Sequence, residues 1–243
     1  MNHANSDHLI SYAGYRFPPE VISYAVWLYF RFPLSLRMVE EMLAARSLDV
    51  TYETVRRWAL KFGQQIARNI RHRAAAFGDK WHLDEVVVSI NGRHWWLWRA
   101  VDQHGAVLDV LVQSRRNRQA AERLMRKLIR RHGLPRVMIT DKLKSYAAAK
   151  ADLGLVFEHR QHKGLNNRAE NSHQPTRVRE KVMRRFKSAC HLQRFVSVHD
   201  QVANVFQHCR YNRDAKAKRD ARTQALQTWG VVSCAQWMAN AAA

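Results

Sequence analysis

WHLDEVVVSINGRHWWLWRAVDQHGAVLDVLVQ, residues 81–113, and AAERLMRKLIRRHGLPRVMITD, residues 120–141, decide the fold class of this chain. Val86, Val87, Val88 and Ile90 form a β-branched run, and Asn91-Gly92 is the preferred two-residue hairpin turn. Trp95 to Val101 and, past Gly105, Val107 to Val112 continue as second and third strands, so the first stretch reads as an antiparallel meander. Ala121, Leu124, Met125, Leu128 and Ile129 then repeat at helical spacing until Gly133 and Pro135 stop them, and Val137 to Ile139 make a short buried strand. The order is βββαβ, an α/β mixed sheet. A helical return lets the new strand lie parallel beside the first, which would set Asp84 and Asp141 at neighbouring positions.

Upstream, Pro18-Pro19 opens a helical pattern through Val21, Tyr24, Ala25, Leu28 and Tyr29. A second pattern (Leu36, Val39, Met42, Leu43) ends near Ser47, and a third (Tyr52, Val55, Trp58, Ala59, Phe62) is closed by Gly63. Three short helices with a turn before the last predict a helix-turn-helix domain over 1–75, with Ala74 to Gly78 as linker. Thr54, Arg56, Arg57 and Lys61 would point outward from the third helix to read base edges and hold phosphates. A plain helical packing domain with solvated charges is the competing reading. Downstream, Leu155 to His159 suggest a fifth strand, and Leu165 to Phe186 and Leu192 to Cys209 two helices. The second domain is expected over 76–213, followed by a tail at 214–243 that is basic and then Ala-rich.

The chain has 243 residues, enough for a sizeable core without staples. Cys190, Cys209 and Cys234 form no CxxC and read as buried or half-buried thiols, and the scattered histidines lack a cysteine pair, which argues against zinc. No membrane-length apolar run or signal-peptide pattern is visible, so a cytoplasmic location is expected. Forty-one Lys and Arg stand against 20 Asp and Glu, a net charge of +21, and so much positive charge most simply meets a polyanion. The excess is greatest in the last third, where residues 161–243 carry 15 basic and 5 acidic side chains.

Against that background three acids stand out: Asp84 in WHLDEVVVSI, Asp141 ending RVMITD, and Glu170 in NNRAENSH. Hard divalent cations take oxygen ligands and keep several waters, so a pair of ions needs only a few carboxylates and takes the rest from phosphate and solvent. Such a pair activates an attacking oxygen and stabilises a leaving one. Strand alternation places Glu85 on the face opposite Asp84, so only one of the two should join the site. Asp102 and Asp109 read as solvated turn-edge acids. Pro175 suits a first helical turn, which puts Glu170 at or just before that helix, with Arg177 two turns along. Lys142 and Lys144, beside Asp141, add to the phosphate-binding set.

These residues resemble the DDE transposases of small bacterial insertion sequences, and within them insertion sequence family six. WHLDE, INGRHWWLWRAVD, SRRNRQAA, ITDKLKSY and HKGLNNRAENSHQPTRVRE carry the resemblance over nearly the whole chain. It implies a ribonuclease H-like catalytic domain using Mg²⁺, with Mn²⁺ as a substitute. It also implies double-stranded DNA as partner, both element ends and target, bound by a homo-oligomer. Asp84, Asp141 and Glu170 take the three acidic roles and Arg177 the basic one that follows. Only 28 residues separate Asp141 from Glu170, a shorter interval than is commonest in the wider superfamily. Two alternatives accompany this reading: an inactive DNA-binding regulator of transposase descent, and a nuclease of the same fold indifferent to terminal sequence. Trp95, Trp96 and Trp98 have no role assigned by the sequence.

Overall fold

A computed structural model describes residues 9–74, 77–207 and 214–235. The chain forms two compact units, one of Met1–Ala74 with Val198–Ala243 and one of Ala75–Ser197.

The first unit contains helices α1 (Pro19–Arg31), α2 (Leu36–Ala44) and α3 (Tyr52–Arg73). Pro18 and Pro19 pre-set the entry to α1, and the side chains of Ser35 and Thr51 accept from Met38 N and Thr54 N, capping α2 and α3. Gly63 was expected to end the third helix, but α3 runs through it to Arg73. The glycine instead permits close packing, because a Cβ there would lie 2.8 Å from the Phe30 ring. The expected tail from 214 is another difference, since α9 (Ala215–Ser233) is a helix of this same unit. It opens on Asp214, which caps Ala217 N, and buries Ala221, Ala225, Trp229 and Val232. Trp229 donates to Ser23, Asn69 donates to the Val232 carbonyl, and Tyr12 donates to the Ser233 carbonyl. The sequence pattern missed α9 because Ala221 and Ala225, the first two of its buried positions, mark no apolar face.

The second unit carries β1 (Lys80–Ile90), β2 (Arg93–Asp102), β3 (Val107–Gln113), α4 (Arg118–His132) and β4 (Val137–Thr140) in the expected order. It continues with α5 (Lys144–Asp152), β5 (Glu158–Gln161), a 3₁₀ turn at Lys163–Leu165, α6 (Asn167–Ser172) and α7 (Gln174–Val182). Helix α8 (Ala189–Val205) contributes residues to both units. The sheet order is β3-β2-β1-β4-β5, with β2 antiparallel to both β1 and β3, and with β4 parallel to both β1 and β5. This is the ribonuclease H-like sheet that the resemblance implies. One face packs on α4 and α5 through Trp81, Leu83, Trp98, Leu124, Met125, Leu128 and Tyr146.

Helix α5 was not anticipated, because only Tyr146 and Ala149 of its alanine-rich sequence are buried. The single helix expected over 165–186 is broken into the 3₁₀ turn, α6 and α7. Cys209 lies outside the described residues, and Cys190 is an exposed free thiol rather than a buried one. Asp102 and Asp109 are buried rather than solvated. Asp102 accepts from the amides of Gly78, His104 and Ala106, while Asp109 pairs with Lys127 and Arg131.

Candidate active site

Strand β1 is central, and its parallel register with β4 runs from Lys80 opposite Val137 to His82 opposite Ile139. Carried two residues further, the same register sets Asp84 level with Asp141, just beyond the last residue of β4. The carboxylates of Asp84, Glu85 and Asp141 each offer an oxygen within 4.8 Å of the others. Asp84 and Asp141 thus meet as the sequence predicts, and Glu85 joins them against expectation. The alternation itself holds: Glu85 pairs across the ladder with Trp98, while Asp84 pairs with Arg99. Because β4 stops at Thr140, β1 has no paired strand on its β4 side at this level, and side chains from opposite faces converge at that open edge.

Burial, then repulsion from Asp141, pushes the Asp84 carboxyl up to about 6, against the lowering effect of the Glu85 amide and Arg116. Burial pushes Glu85 up to about 7 although Tyr146 and Arg116 both favour its charged form. Arg116 Nε donates to Glu85 Oε1 at 2.7 Å, and Tyr146 donates to Oε2 at 2.6 Å. Glu85 therefore has both oxygens engaged. Asp141 Oδ1 accepts from the Leu143 amide at 2.9 Å, and its Oδ2 stands 3.5 Å from Arg116 Nη2.

The third acid, Glu170, lies exposed on α6, a helix separate from the one Pro175 opens. It is not one of the three carboxylates within 4.8 Å. Both flanks of its helix are nevertheless tied to β1: Asn166 Nδ2 donates to the Leu83 carbonyl at 2.9 Å, and His173 Nε2 stands 3.4 Å from Asp84 Oδ2. Buried Arg99 adds hydrogen bonds to the Ser172 carbonyl and Thr176 Oγ1. Glu170 thus sits between two anchors on the strand that carries Asp84. Lys142, Lys144 and Arg177 are exposed.

The donor set fits a divalent cation. It offers carboxylate oxygen, and the repulsion that raises Asp84 is what a bound positive ion would relieve. Glu85 fits less well as a ligand, because its oxygens already serve Arg116 and Tyr146.

A family model described as a DDE domain matches residues 78–209, more than half of the chain. The chain is a DDE transposase. It is 33% identical over 180 residues to the transposase for insertion sequence element IS257 in transposon Tn4003 of Staphylococcus aureus, covering 70% of this chain and 79% of that protein. The same identity and coverage hold for the transposase of insertion sequence-like element IS431mec from S. aureus strain Mu50. These matches place the transposase in an element of insertion sequence family six. It is an enzyme of DNA cleavage and strand transfer, and its family implies use of a divalent metal. Among solved structures, the HTLV-2 integrase catalytic core in complex with magnesium aligns at TM-score 0.33 and 16% identity, over 45% of this chain and 86% of that one. An intasome of simian T-cell lymphotropic virus aligns at TM-score 0.35 and 15% identity, over 65% of this chain and 50% of that one. The fold assignment rests on the strand order, not on these distant alignments.

Sequence reasoning set Glu85 outside the site and passed over Arg116, Tyr146, Asn166 and His173. The last two lay inside the quoted HKGLNNRAENSHQPTRVRE, where an Asn and a His flanking the acid were the available signal. Nothing in the local pattern of SRRNRQAA marked Arg116 as the arginine that reaches the carboxylates.

Proposed function

We propose that Asp84, Asp141 and Glu170 hold Mg²⁺ for cleavage and joining of insertion-sequence ends, with Mn²⁺ as a substitute. The observation that carries this reading is the parallel pairing of β1 with β4, which brings the first two carboxylates together beyond the end of β4. Bound metal would activate the attacking water or 3′-hydroxyl and stabilise the leaving oxygen. The chain's own part is to hold the ligands: the Leu143 amide fixes Asp141, and His173 and Asn166 fix Asp84 and the start of α6. Lys142, Lys144 and Arg177, all exposed, would hold the DNA backbone at the site.

The three N-terminal helices support a helix-turn-helix reading for the terminal inverted repeats, with α3 as the recognition helix. Arg56 and Arg57 are exposed on it, and Arg56 is braced by Glu53 at 2.6 Å. Thr54 bonds to Thr51 at the cap, and Lys61 lies over the Tyr15 ring at 4.7 Å, so these two have local partners as well. The connection 45–51 is longer than the usual turn of that motif. A homo-oligomer acting on DNA in the cytoplasm completes the reading. Among the described residues no helix is long and apolar enough to cross a membrane. The alternative of an inactive regulator draws no support from the site, where Asp84 and Asp141 stand together.

The test is Mg²⁺-dependent nicking and strand transfer on DNA carrying the element ends. The parent should cut and join, and Asp141→Asn should bind the ends with little change while losing both reactions. Strand transfer by Asp141→Asn at close to the parental rate would remove Asp141 from the site. Cleavage indifferent to the terminal sequence would favour a general nuclease.

A further inference from the structure

Arg116 reaches the acidic group from the segment before α4, and its surroundings hold it there. Its guanidinium bonds to Glu85 Oε1, stands 3.5 Å from Asp141 Oδ2, and lies over the Trp96 ring with Cζ 5.1 Å from the centroid. The Glu85 side chain is fully buried, and its second oxygen accepts from Tyr146, which is packed edge-on against Trp98 in the core. A line of contacts thus runs from the core through Tyr146 and Glu85 to a cation placed at the Asp141 carboxylate.

We propose that Arg116 is the internal counter-cation of the metal-free site, and that a divalent ion loads onto Asp141 by displacing it. The inference rests on the reading that Asp84 and Asp141 hold metal. A guanidinium keeps its proton under all ordinary conditions, so it cannot vacate the site by losing charge and must move. It competes for the same oxygen lone pairs as the ion, and two cations on one carboxylate repel. Glu85 is then a positioning residue: it sets where Arg116 stands and does not itself ligate. The arrangement keeps close-set carboxylates paired before loading, and it holds metal affinity below what the carboxylates alone would give.

The experiment is a Mn²⁺ titration of the full chain without DNA, following free Mn²⁺ by electron paramagnetic resonance. Removing Arg116 alone would unpair the buried Glu85 carboxyl, and its uptake of a proton would mask the lost charge. The comparison is therefore made within Glu85→Gln protein. Adding Arg116→Gln should tighten Mn²⁺ binding roughly threefold to tenfold, a range set by partial exposure of the arginine. Adding Arg116→Lys instead should leave affinity within about twofold of Glu85→Gln. The gain should vanish when Asp141→Asn is also present, since no carboxylate then remains to compete for. If Glu85→Gln fails to fold, the same comparison is made within Glu85→Leu protein, which also removes the buried charge. Unchanged or weaker binding on loss of Arg116, or a lysine variant as tight as the glutamine one, overturns the proposal. A parent that binds no Mn²⁺ removes the metal-site reading, and this inference with it.

Discussion

Asp84→Asn should make the metal-free protein more stable while ending its chemistry. Asp84 is held at about 6 instead of 3.8, so at neutral pH the folded state keeps a charge it disfavours. Two units at about 1.4 kcal/mol each give roughly 3 kcal/mol, and screening at this part-open site reduces that to about 1–2 kcal/mol. The sign follows from proton binding. The folded state binds the proton more tightly than the unfolded one, so the penalty is absent below about pH 4, grows as pH rises towards 6, and is complete above it. The amide cannot ionise and escapes the penalty. For a chain of this length the gain corresponds to a Tm increase of about 2–8 °C. Thermal melts in EDTA at about pH 7.5 and about pH 4 measure it, with the difference confined to the higher pH. Added Mn²⁺ should reverse the order by stabilising the parent more than the variant. The reasoning fails if Asp84→Asn melts at or below the parent at the higher pH, or if the gap persists unchanged at the lower one.

Glu170→Gln should stop both cleavage and joining, whereas Glu158→Gln and Asp152→Asn should leave them nearly intact; the opposite pattern in the strand-transfer assay would move the third ligand into the segment before α6. Replacing Arg56 and Arg57 together with Ala should abolish discrimination between element ends and random DNA in competition binding while sparing non-specific affinity. Equal loss on both DNAs would assign these side chains to phosphate alone. Gly63→Ala should destabilise the first unit by about 1–3 kcal/mol, because its Cβ meets the Phe30 ring. An unchanged urea midpoint would show that Phe30 moves aside at no cost.

The central sheet was legible because its signals are local. A β-branched run, an Asn-Gly turn and a helix stopped by Gly133 and Pro135 each act over a few residues, and βαβ chirality then places β4 beside β1. That chain of rules also brought Asp84 to Asp141. Glu85 was misread because strand alternation describes a continuous sheet, and here β4 ends one residue short of the site. Gly63 was misread as a stop because a glycine needed for contact with Phe30 looks the same in sequence as one needed for a turn. Helix α5 escaped because it buries only Tyr146 and Ala149, and α9 because its first two buried positions, Ala221 and Ala225, are alanines that mark no face. Asp102 and Asp109 look solvated in the sequence because their partners, backbone amides for one and α4 cations for the other, come from the fold.

Helix α9 carries a consequence for the order in which the protein is made. Tyr12, Ser23 and Asn69 hydrogen-bond to Trp229, Val232 and Ser233, so α1 to α3 cannot complete their own unit until some 160 residues beyond α3 have been translated. The intervening sheet unit has all its parts earlier and can close first. A nascent chain therefore holds α1 to α3 incomplete while the sheet unit is made, and a stop codon near residue 215 would remove a wall of the first unit while leaving Asp84, Asp141 and Glu170 encoded.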